Sequence, residues 1–149
     1  MKTIFDHNTR TELIKRIEAL TPHSTRQWGK MNVAQMVEHC IRWEEMVGGE
    51  KKGKRIFLGR LFGKFALASM IGNEKPVRQN IPTLKEILVE EEVKTDLDAQ
   101  KQKWINLLKG YENFSQEHVV HPFFGKITKE QVARLAYKHT DHHLRQFGV

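Results

Sequence analysis

The chain has 149 residues, 39% hydrophobic and 29% charged, with a formal net charge of +7 and one cysteine. That length favours a single domain, residues 1–149, with a core of its own, and the composition excludes a disordered chain. One cysteine excludes an intramolecular disulfide, MKTIFDHNTRTELIKRI has no secretory apolar region, and no run nears the roughly 18 apolar residues of a spanning helix; a cytoplasmic protein without a transmembrane segment is expected.

In chain order the pattern is helical. Residues 9 to 20, TRTELIKRIEAL, set Leu13, Ile14, Ile17 and Leu20 at helical spacing, with Asn8 or Thr9 as N-cap and Thr21-Pro22 as the stop. Asn32 opens the second helix, and Gln35 three residues on gives the spacing of a capping box. Val33, Met36, Val37, Cys40 and Val47 form its apolar stripe, and Gly48-Gly49 ends it. Cys40 lies in that stripe and reads as core.

Residues 50 to 56, EKKGKRI, read as a basic loop. Residues 57 to 71, FLGRLFGKFALASMI, read as a short helix, buried or membrane-facing, with two glycines weakening it. Residues 83 to 93 fit either an extended arm or a helix start. From about 96 to 112 a clear amphipathic helix carries Leu97, Trp104, Leu107, Leu108 and Tyr111. VVHPFFGKI reads as a loop, and Thr128 with Gln131 caps a last helix over about 129 to 147. The expected fold is all-α: an up-and-down four-helix bundle with an additional short helix between the second and third main helices.

The last helix contains KHTDHHLRQF, with His139, His142 and His143. At about 100° per residue, His139 and His143 fall within roughly 20° of the centre of the face set by Val132, Leu135, Ala136 and Phe147. His142 lies about 80° off that centre, and Asp141 points away. A buried imidazole needs a hydrogen-bond partner, and two charged rings one turn apart repel. A metal ion resolves both problems, and so do satisfied neutral rings. His39, at the edge of the second helix's stripe, is the natural third ligand from a facing helix. His7, His23, His118 and His121 fall in termini or loops, where exposure is the default; His121, before Pro122, could line the mouth of a site.

WGKMNVAQMVEHC (28 to 40), HPFFGKIT (121 to 128) and YKHTDHHLRQFG (137 to 148) resemble the DinB/YfiT-like superfamily over nearly the whole chain. Within it, the likeness is to a branch described as a domain of unknown function. The resemblance implies a DinB-like four-helix bundle with a three-histidine divalent-metal site on His39, His139 and His143. Superfamily members include metal-dependent hydrolases and thiol S-transferases that use small cellular thiols. Gln146 matches the family's glutamine. Where bacterial members often carry Arg then Gly after the last histidine, this chain has Leu144-Arg145, so no arginine role carries over.

Three neutral imidazoles leave a position open on the ion, the layout of a catalytic site. The ion, nickel or zinc, would serve hydrolysis or thiol transfer on a small-molecule substrate, such as a low-molecular-weight thiol. Glu38 should face away from such a site and Glu44 should reach its rim, while Trp43 either walls the pocket or is plain core. The alternative is a non-catalytic interaction module. In it the basic 50–65 segment, with Lys51, Lys52, Lys54, Arg55, Arg60 and Lys64, meets a membrane surface or nucleic acid. No recognised nucleic-acid motif accompanies that segment, which weighs against nucleic acid. Bundles of this size often pair, so a homodimer is the assembly to look for.

Overall fold

Side-chain caps decide where most of the helices begin. In the computed structural model, which describes residues 1–49 and 55–149, Asp6 accepts from the backbone N–H of Thr9 at 2.6 Å and starts α1 (His7–Glu18). The cap precedes the expected Asn8 or Thr9 because Asp6 is the residue with extended backbone and a carboxylate in reach. Asn32 and Gln35 form the reciprocal capping box of α2 (Val33–Gly48). The expected basic loop falls mostly on residues 50–54, including Lys51, Lys52 and Lys54, which lie outside the described residues. α3 (Phe57–Ile71) has no side-chain cap, and Asp96 caps α4 (Leu97–Lys109).

The segment expected as a loop before the last helix is a β-hairpin, which corrects the all-α reading. β1 (His118–His121) pairs antiparallel with β2 (Gly125–Thr128), His118 opposite Thr128 and His121 opposite Gly125. Val119 and Ile127 face inward while Val120 and Lys126 face solvent, a period of two. Each strand has only four residues, too few for that period to stand out in the sequence. Thr128 and Gln131 then box the start of α5 (Lys129–Gln146). Residues 83 to 93 are mostly irregular, with one 3-10 turn at Lys85–Ile87.

The described residues thus hold five α-helices and one small sheet. α1 packs against α4 and α5, and α2 packs against the same two. These four enclose one apolar cluster in which Leu13, Met36, Trp104, Leu108, Val132 and Leu144 are fully buried. Cys40 is part of that core, its thiol pushed up by burial. α3 stands outside, against α5 and β2. Its glycines are what let it approach. A Cβ on Gly59 or Gly63 would lie 2.3 or 2.2 Å from the carbonyl oxygen of Phe123 in the hairpin turn. Arg55 fastens the same turn, donating to the carbonyls of His121, Pro122 and Phe123 at 3.1, 2.9 and 2.9 Å. No helix among the described residues is long and apolar enough to cross a membrane.

Glu44, on α2, is buried rather than at the rim of a site. Tyr111 donates to its Oε2 at 2.6 Å, and its Oε1 has no hydrogen-bond partner. Burial pushes the Glu44 carboxyl up to about 8, against the weaker lowering effect of the Tyr111 bond. An unfolded glutamate titrates near 4.5, so between these values the folded protein keeps a proton that the unfolded chain releases. This stabilisation is complete below pH 4.5 and is lost as pH rises through about 8. Histidines held neutral by burial act in the opposite sense below about pH 6.5, so the clean window is pH 6.5 to 8. In urea melts across that window the wild type should lose on the order of 1.4 kcal/mol per pH unit, and Glu44→Gln should lose far less. Equal slopes would assign the pH dependence to other groups.

Candidate metal centre

Three histidines from two helices converge where α2 meets α5. His39 and His143 are buried, at 1% and 7% exposure, and His139 is half-buried. One donor nitrogen from each lies within 4.8 Å of the others.

The far side of each ring decides which nitrogen faces inward. His39 Nδ1 lies 2.9 Å from the carbonyl oxygen of Ile87. A carbonyl only accepts, so Nδ1 carries the proton and Nε2 keeps its lone pair. His143 Nδ1 lies 2.9 Å from Gln146 Oε1, and the amide nitrogen of Gln146 donates to the carbonyl of Trp28 at 3.0 Å. The Trp28 carbonyl fixes which end of the amide is which, so His143 Nδ1 must also donate and its Nε2 is also a free lone pair. Gly29 makes room for this arrangement. A Cβ there would lie 2.5 Å from the Gln146 amide nitrogen, and its φ of 81° is one that other residues rarely adopt.

His139 is held differently. Its ring stacks on Trp43 with centroids 4.5 Å apart and planes 16° apart. Its Nε2 is 3.1 Å from His39 Nε2, and its buried Nδ1 has no partner. Since His39 Nε2 is a lone pair, His139 must donate from Nε2 when no ion is present. Two imidazole nitrogens bound tetrahedrally to one ion at roughly 2.0–2.1 Å would stand about 3.3 Å apart, close to the observed spacing. Trp43 is therefore both core and wall: it is 3% exposed and backs one of the three rings.

All three rings are held neutral. Burial pushes His39 below its ordinary value, and burial with the neighbouring rings pushes His139 and His143 well below theirs. Neutral imidazole is the form that donates a lone pair to a metal. No carboxylate joins the group among the described residues. Glu38 pairs with Arg42 at 2.9 Å, Glu44 with Tyr111, and Asp141 with Arg16 and Arg145 at 2.7 and 2.8 Å. Asp141 points away from the three rings, as the wheel places it, yet Arg16 leaves it only 6% exposed.

The other histidines separate cleanly. His7, His23 and His118 are exposed, as expected. His142 is half-buried, with its ring 5.5 Å from Trp28 and 5.0 Å from His143. His121 departs from the expected exposure: it is 4% exposed at the end of β1. Its Nδ1 accepts from the backbone N–H groups of Phe123 and Phe124, both at 3.2 Å, and its ring stacks on Phe124. Burial, with the nearby Arg55 charge, lowers it to about 4, so it is a neutral ring that carries its proton on Nε2. The signal in the sequence was the turn after it, which aims two backbone donors back at the ring.

Gln146, which the family resemblance pointed to without a role, sets the tautomer of His143. Removing such a partner typically costs 10–100-fold in metal affinity. Gln146→Leu should therefore weaken zinc binding by roughly that factor in a chelator competition while leaving the stoichiometry unchanged. Unaltered affinity would remove Gln146 from the centre.

No curated protein and no solved structure matches the chain. One family model, described as a protein of unknown function (DUF1569), matches residues 3–148, and the chain belongs to that family.

Proposed function

We propose that His39, His139 and His143 hold one divalent metal ion in a DinB-like, up-and-down four-helix bundle, and that the protein is a metal-dependent enzyme acting on a small molecule. The observation that carries this reading is the pair of fixed tautomers. His39 and His143 are each held with a lone pair turned inward, beside a third ring whose outer nitrogen lacks a partner.

Nickel and zinc both suit an all-imidazole donor set. A bound ion would supply Lewis-acid chemistry, lowering the pKa of a water or thiol beside it. The chain's own residues do the rest. Ile87 and Gln146 orient two rings, Trp43 backs the third, and the apolar surroundings keep all three neutral. Glu38, Glu44 and Asp141 are each engaged elsewhere, so none is offered as a general base. Activation of the nucleophile would then rest with the ion, whether for a water, whose pKa falls to about 7 on such an ion, or a thiol. Thiol transfer and hydrolysis of a small molecule both fit this site. The single core cluster supports one domain over residues 1–149, and one buried free cysteine suits the cytoplasm.

Metal analysis after reconstitution should give about one ion per chain for the wild type, and far less for His139→Ala with an unchanged circular dichroism spectrum. Unchanged metal content in the variant would end the proposal. Calorimetric titration of the loaded protein should show binding of a small thiol but not of its methyl thioether. Equal binding of both, or of neither, would leave hydrolysis as the reading.

A further inference from the structure

The outward side of α3 is left uncovered by the described residues. Phe57, Leu58, Leu61, Phe62 and Phe65 are 71, 58, 62, 57 and 79% exposed. On a helical wheel they fill an arc about 140° wide. The buried stripe of the same helix, Gly59, Gly63, Leu67 and Ile71, fills roughly the opposite arc. The helix therefore has two apolar sides with different uses. One is pared down to glycine so that it can seat against the Phe123 backbone, and the other is built of large side chains that stay mostly exposed among the described residues. A patch of this kind marks an interaction surface.

Charge indicates which partner covers it. Residues 55–71 contain Arg55, Arg60 and Lys64 and no aspartate or glutamate. Arg55 is engaged with the hairpin turn. Arg60 and Lys64 are exposed and lie on one flank of the apolar arc, roughly 20–60° beyond Phe57. A second copy meeting this face across a two-fold axis would bring the same cations together with no acidic partner from the helix. An anionic bilayer would supply phosphates to the flank and hydrocarbon to the arc. At 15 residues the helix is about 22 Å long, too short to span the roughly 30 Å hydrocarbon core, so it would lie in the plane of the interface.

We propose that α3 docks the protein on anionic phospholipid membranes. Its five apolar side chains enter the headgroup–acyl boundary, and Arg60 and Lys64 reach the phosphates. The seat against the hairpin turn presents this face ready-made, without a folding step on binding. Because the proposal rests on α3 alone, it stands or falls independently of the metal reading.

Co-sedimentation of the full chain tests it, using vesicles of phosphatidylcholine alone and of three parts phosphatidylcholine to one part phosphatidylglycerol. The wild type should pellet with the anionic vesicles and far less with the neutral ones. Leu61→Ser with Phe65→Ser should cut that partition by more than about tenfold, since both side chains would insert. Arg60→Gln with Lys64→Gln should weaken it and flatten its salt dependence. All four positions are exposed, so melting temperatures should stay close to wild type; if the serine pair melts early, the glutamine pair alone decides. Three results would overturn the proposal. The first is no pelleting with either vesicle. The second is pelleting that salt abolishes but the serine pair leaves unchanged, a purely ionic contact of the kind nucleic acid makes. The third is a wild-type dimer that the serine pair converts to a monomer, which would give the face to a second copy.

Discussion

The Gln146 amide ties the end of α5 to the bend at Trp28–Gly29 by donating to the Trp28 carbonyl, and by accepting from His143 Nδ1 it determines which nitrogen of that ring faces inward. Without the Trp28 carbonyl, the Gln146 amide could sit either way round and His143 could adopt either tautomer. A Cβ at Gly29 would lie 2.5 Å from the amide nitrogen and displace it from that carbonyl. The same logic recurs at His39, where the carbonyl is that of Ile87, at the end of the 3-10 turn far along the chain. Two pieces of backbone outside the main helices thus set the chemistry of rings on α2 and α5. Loops of this kind do more than connect helices, because their carbonyls are fixed acceptors that a side chain cannot misorient.

How much of this was legible depends on the range of each interaction. The capping boxes at Asn32–Gln35 and Thr128–Gln131 are local, three residues apart, and both helix starts were readable from them. The inward placement of His139 and His143 was readable from helical periodicity, because 3.6 residues per turn needs no knowledge of the partner helix, whereas periodicity set His39 only at the edge of its stripe. What periodicity could not supply was the acceptor behind each ring. Ile87 is 48 residues from His39, and Trp28 is 118 from Gln146. The hairpin escaped for a different reason. Strands of four residues carry too little pattern, and the Pro-Phe-Phe-Gly turn between them dominates the local signal. Missing the hairpin also hid the burial of His121, whose ring is covered by the turn that follows it.

Glu44 and α3 show what a reading of helix faces leaves to the neighbouring elements. Glu44 was expected to reach the rim of the site from its place five residues after His39. Instead Tyr111, in the 3-10 turn that follows α4, meets it in the interior, and burial shifts its titration toward neutral pH. The apolar run in α3 was expected to be buried or membrane-facing, and the exposure of five of its largest side chains removes the first alternative for that face. Both outcomes reflect which helix faces are matched by a neighbour. α2 has the turn carrying Tyr111 across from Glu44, whereas the outer face of α3 is met by no element among the described residues.

The central claim is that three imidazoles, and no thiolate or carboxylate of the protein, surround one ion. X-ray absorption at the zinc edge of the reconstituted protein tests it most directly. Three histidine imidazoles with nitrogen at about 2.0–2.1 Å, and no sulfur in the shell, are expected. A shell of sulfur at about 2.3 Å, or fewer than three imidazoles, would contradict the assignment.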